Sequence, residues 1–142
     1  AAEAAAGFEK ALTLKSDYSE AHSNFALLLT ERGDLDQALR HFEAALGSQP
    51  TNFGINVNAG DLLMKMHRPA DAAVRYKAAL ANAPDSIEPV LTAIEHLAQA
   101  LIDDNKPPDA RPHLQRGLAL AKATGQTEAV GRIEGLLGRV GR

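Results

Sequence analysis

Residues 38–50, ALRHFEAALGSQP, return 34 positions later as residues 72–84, AAVRYKAALANAP. In that register Leu28, Leu29, Ala38, Phe42, Ala45, Leu46 and Pro50 recur as Leu62, Leu63, Ala72, Tyr76, Ala79, Leu80 and Pro84, six identities and one exchange of aromatic rings. Self-similarity at a fixed period of about 20 to 50 residues marks units that cannot bury an apolar face alone and must stack on neighbours. Function then belongs to a surface, not to an enclosed pocket.

Working outward, Ser19 is positioned to cap a helix over about 20–32 whose apolar residues Ala21, Phe25, Leu28 and Leu29 fall at helical spacing. Gly33 and Asp34 break it. A second helix over about 35–47 gathers Leu35, Ala38, Leu39, Phe42, Ala45 and Leu46 on one stripe, and Pro50 forbids its continuation. The next hairpin follows the same plan, with Asn52 as cap, a helix to about Met66, and Pro69 in the first turn of its partner. In the third, Ser86 is the cap, Pro89 lies in the first turn, and Val90, Ala93, Ile94, Leu97 and Leu101 form the stripe. Aligning Ala110 with Ala72 requires four extra residues near 103–108, either a further helical turn or a longer loop, and Pro112 places the partner helix start at Pro108 or Asp109. A last helix over about 127–139 aligns Val130, Ile133, Leu137 and Val140, as a closing cap would. Its opposite side holds Gly131, Gly135 and Gly138, either a surface for close approach of another helix or the mark of a marginal terminal helix. Upstream, Ala4, Phe8, Ala11 and Leu12 align with Ala38, Phe42, Ala45 and Leu46, so residues 1–18 read as the second half of a truncated repeat and the start as a cut end. The array divides into 1–18, 19–52, 53–86, 87–122 and a cap at 123–142.

Composition narrows the function. A net charge of -3 and 4% aromatic residues, with no basic patch, argue against nucleic acid as partner. Without cysteine there is neither disulfide nor thiolate metal site. No apolar run approaches the roughly 18 residues that span a bilayer. The start does not read as a signal peptide, and the sequence leans to the cytoplasm without naming a compartment. No phosphate-cradling glycine loop, nucleophile elbow or pair of histidines at metal spacing is present, so neither an enzyme nor a cofactor is expected. The histidines read as packing or surface residues, with His41 and His113 on separate helices.

The period and the Ala, aromatic, Ala, Pro pattern resemble the tetratricopeptide repeat (TPR). The two quoted stretches match its second helix, and AHSNFALLLTERGDLDQA, residues 21–38, resembles the first helix and turn found in O-linked N-acetylglucosamine transferases and bacterial TPR proteins. Departures are His22, Asn56 and Val90 where the family prefers Trp, His67 in place of the turn glycine seen at Gly33, and Gly117 in place of Ala45 and Ala79. The resemblance implies an all-α, right-handed superhelical solenoid of antiparallel helix pairs, whose first helices line a concave wall that holds peptides.

Mapped onto this chain, that wall comprises Glu20, Ser23, Asn24, Leu27, Thr30 and Glu31, then Val57, Asn58, Asp61, Met64 and Lys65, then Glu88, Leu91, Thr92, Glu95 and Gln99. Leu27, Val57, Met64 and Leu91 would make an apolar floor among mainly acidic neighbours, which suits an apolar protein or peptide segment flanked by basic residues. Asn24 and Asn58, one period apart, resemble the asparagine ladder of the glycosyltransferase arms, in which side-chain amides grip peptide main chain. The clamp by which some members hold chaperone C-termini is not matched, because Ser23, Leu27, Glu88 and Thr92 stand at its sites and only Asn58 agrees. The expected function is non-catalytic protein binding. The alternatives are self-association by end-to-end or cap-mediated stacking, and service as the recognition arm of a larger transferase.

Overall fold

Four of the interhelical turns repeat one backbone device. Gly33, His67, Asn105 and Gly125 adopt left-handed φ values of 86°, 58°, 64° and 72°. The next residue then donates its N–H back over the helix end: Asp34 to Leu29 O, Arg68 to Leu63 O, Lys106 to Leu101 O and Gln126 to Ala121 O, at 2.8–2.9 Å. This satisfies carbonyls that a helix end would orphan and reverses the chain within three residues.

The computed structural model describes residues 19–141, all of whose regular elements are helices. They are α1 (Ser19–Arg32), α2 (Leu35–Ser48), α3 (Phe53–Lys65), α4 (Pro69–Ala81), α5 (Ile87–Asp103), α6 (Pro107–Ala123) and α7 (Thr127–Val140). Helices α1 with α2, α3 with α4, and α5 with α6 form antiparallel hairpins, stacked in order and closed by α7 against α6 and α5. The fold is an all-α solenoid. The alignment of Ala4, Phe8, Ala11 and Leu12 lies outside the described residues.

Small residues let the paired helices approach. Ala38, Ala45, Ala72 and Ala79 are fully buried beside the large rings of Phe42 and Tyr76. The core falls into two clusters that meet on α3: Leu62 belongs with Phe25, Leu29, Phe42 and Leu46, whereas Leu63 belongs with Tyr76, Ile94, Leu97, Leu114 and Ile133. The half-buried Leu39 touches both.

Most helix limits agree with the sequence reading to within a residue, and two of the three expected caps differ. Asn52 caps α3 by accepting from the Ile55 N–H at 2.9 Å. Ser86 occupies the cap position of α5 without a side-chain bond. Ser19 is already helical and its buried hydroxyl has no hydrogen-bond partner among the described residues, so it does not cap. Helix α6 begins at Pro107, ahead of the expected Pro108 or Asp109, because Pro107 is itself suited to the first position. Pro112 therefore sits in the second turn and removes one backbone hydrogen bond. The additional residues of this hairpin are helical: α5 has 17 residues against 13 in α3, and the turn after it keeps its usual form.

Candidate interaction surface

The stack bends because its two rows of helices are unequally spaced. Each first helix touches its successor, α1 to α3, α3 to α5 and α5 to α7, while the second helices α2, α4 and α6 stay apart. The first helices thus form the inner wall and the second helices the outer face. Between α2 and α4 the separation leaves an open cleft of about 460 Å³. On its rim Arg68 holds Asp71 at 2.8 Å and Arg75 reaches the amide oxygen of Asn56, while Glu43 makes no ion pair among the described residues. It is a gap left by curvature.

On the inner wall Glu20, Asn24, Leu27, Glu31, Asp61, Lys65, Glu88 and Thr92 are exposed, and Thr30, Val57, Asn58, Met64, Glu95 and Gln99 are half-buried. Leu27, at 40% exposure, is one of two large apolar side chains so open among the described residues, the other being Val74 on α4. The amides of Asn24 and Asn58 make no hydrogen bond among the described residues, whereas the Thr30 hydroxyl is turned back to Ala26 O at 2.8 Å.

Two expected wall residues are withdrawn. Leu91 is only 2% exposed, because α7 lies across α5 and its Ala129 and Arg132 border the same crevice. Ser23 is buried on the same helical face as Ser19 and Ala26. Of the four residues expected to form an apolar floor, Leu27, Val57 and Met64 keep solvent exposure.

Several wall groups are engaged with one another. Arg132 of α7 donates to Glu95 at 2.8 and 3.3 Å, and Arg139 donates to Gln99 Oε1 at 3.1 Å, so the closing helix supplies cations to the wall's far end. The Asp61 carboxylate accepts from the Tyr76 hydroxyl at 2.5 Å and meets His96 Nδ1 at 3.0 Å. Burial first, then the Asp61 bond, pushes the Tyr76 phenol far above its ordinary value. The Asp61 bond raises the His96 pKa against the opposing effect of burial.

Two polar arrangements escape sequence reasoning. Asn56 is fully buried, yet its amide donates to Pro50 O and Asn52 O at 3.0 Å and accepts from Arg75, which ties α3 to the preceding loop and to α4. His22 and His41 face each other Nδ1 to Nδ1 at 3.0 Å across the first hairpin, with the His41 ring edge-on to Phe25. Burial holds the His22 pKa below its usual value. Among the described residues no three His, Cys, Asp or Glu side chains converge as a metal centre would require.

Models of the tetratricopeptide repeat match residues 1–53, 29–95 and 90–124. The chain belongs to this family. No curated protein sequence matches it significantly. Solved TPR structures overlay well. YrrB, a TPR protein with an unusual peptide-binding site, is 24% identical over 96% of this chain and 68% of its own, with a TM-score of 0.74. MamA from Desulfovibrio magneticus RS-1 is 17% identical, covering 97% of this chain and 82% of its own, with a TM-score of 0.71. The Yersinia enterocolitica type III secretion chaperone SycD, solved with a peptide of the translocator YopD, is 19% identical over 89% and 95%, with a TM-score of 0.70. At these identities the likeness is one of fold. Among the described residues of this TPR chain no helix is long and apolar enough to cross a membrane.

Proposed function

We propose that this TPR array is a non-catalytic scaffold that holds a segment of another protein along its inner wall. The observation that carries the reading is the pair Asn24 and Asn58, one period apart on α1 and α3, whose amides make no hydrogen bond among the described residues, on the same two helices as the partly or fully exposed Leu27, Val57 and Met64. An amide that donates and accepts can bond the main chain of an extended guest whatever its side chains, and the apolar residues add contact area. Two solved relatives of the same fold are described with peptides, YrrB and SycD, which supports the same use here. The reading divides the chain into repeats at 19–52, 53–86 and 87–122, with a cap from 123 onward.

The test begins with peptides selected from a random display library against the purified chain. In the Asn24→Ala/Asn58→Ala double variant, affinity for a selected peptide is expected to fall about tenfold or more, the loss of one to two net hydrogen bonds. The melting temperature should stay unchanged. Retained affinity would remove the two amides from the site.

A further inference from the structure

A pocket of about 210 Å³ opens on the inner wall between α3 and α5, lined by Asp61, Met64, Tyr76, His96 and Gln99. Its lining is mostly apolar. At its edge stands the carboxylate of Asp61, 46% exposed, with Oδ1 bonded to Tyr76 and His96 and Oδ2 without a partner among the described residues. Gln99 is engaged on both sides of its amide, donating to Asp103 and accepting from Arg139. An apolar sleeve ending in one open carboxylate oxygen fits a long cationic side chain, whose methylenes lie along the walls while its head meets the charge.

We infer that this pocket is a subsite for a Lys or Arg side chain of the guest segment, and that His96 competes with that side chain for Asp61. The inference rests on the inner-wall reading above. The groups facing His96 are Asp61 from α3, Tyr76 from α4 and Glu95 on α5, the last held by Arg132 of α7. Tyr76 remains a neutral donor throughout the working range, because burial and Asp61 both oppose its ionisation. Glu95 is ion-paired to Arg132 and adds a smaller pull on His96 in the same direction as Asp61. In acid the imidazolium of His96 therefore occupies Asp61. As pH rises through the raised His96 value the ring loses its charge, and Asp61 becomes the unshared counter-ion for a guest cation. Linkage requires the converse: a bound guest cation draws the His96 pKa back down.

The experiment is an NMR titration of the chain with two capped pentapeptides, Ala-Leu-Arg-Leu-Ala and the same sequence with neutral citrulline in place of arginine. Inner-wall amides and the His96 ring are followed from about pH 5 to about pH 8. The arginine peptide should bind about tenfold tighter at the upper pH, equal to about 1.4 kcal/mol, and should lower the His96 pKa, while the citrulline peptide does neither. Asp61→Asn retains an acceptor for Tyr76 and should abolish the difference between the peptides. His96→Gln should keep the preference for arginine and lose its pH dependence. Equal binding of the two peptides, or a preference that survives Asp61→Asn, overturns the subsite. If resonances of Asn24, Leu27 and Asn58 move while Asp61 and His96 do not, the subsite falls and the inner wall stands. If neither peptide perturbs the inner wall, both readings fall.

Discussion

A Cβ placed on Gly60 would stand 2.6 Å from the Tyr76 ring, so that ring occupies the space a side chain on α3 would need. In the third hairpin the exchange of volume runs the other way. Ile94, one period after Gly60, is the large partner, and Gly117 on α6 makes the room, a Cβ there falling 3.0 Å from Ile94 Cγ2. The absence of alanine at Gly117 is legible only together with Ile94, since each crossing conserves volume and not residue type. Gly60→Ala is expected to lower stability by about 1–3 kcal/mol through overpacking. Gly131, Gly135 and Gly138 have open space around them, and each change to Ala there should raise stability by about 0.5–1 kcal/mol. Thermal melts of the four variants check both signs.

At the scale of the helix and its turn, the recurrent left-handed residue is the controlling feature. His67 holds that conformation with a side chain attached, at a cost that glycine avoids. His67→Gly should stabilise the chain by about 0.5–1 kcal/mol after allowance for the freer unfolded backbone. Asn105→Gly should gain less, because asparagine tolerates the region. Denaturant midpoints read both. Helix positions were legible from the sequence because period, proline and turn glycine all report the backbone directly. Capping was legible only in part. Ser19, Asn52 and Ser86 have equally suitable side chains, and only Asn52 has the geometry to bond. The sequence placed the start of α6 at Pro108 or Asp109, and it lies at Pro107, because either proline suits a first turn and composition does not choose between them.

For the whole molecule, the division of the core at α3 makes two neighbouring residues answer to different halves of the stack. Leu62→Ala and Leu63→Ala should each cost about 2–5 kcal/mol. Amide hydrogen exchange is expected to quicken in α1 and α2 for the first and in α4 to α6 for the second; the same pattern for both would refute two separable clusters. Exposure along the first helices followed from the period only in part: Asn24 and Leu27 are exposed and Asn58 and Met64 half-buried, whereas Ser23 and Leu91, read from the same spacing, are buried. Pairings between helices did not follow. His22 with His41, Asp61 with His96, Asn56 with Arg75 and Glu95 with Arg132 are separated by 19 to 37 positions, and a periodic pattern gives no distance across hairpins. Leu91 was misread for the same reason, since its cover comes from α7.

The longer α5 and α6 have a final consequence. Identical rungs would let a monotonous strand slip from one to the next without penalty, leaving its alignment degenerate. With 17 residues in each of these helices against 13 in each helix of the pair before, one side of the trough rises about 6 Å higher. That step breaks the translational symmetry of the array, and on the proposed reading a lodged strand would have a single phase.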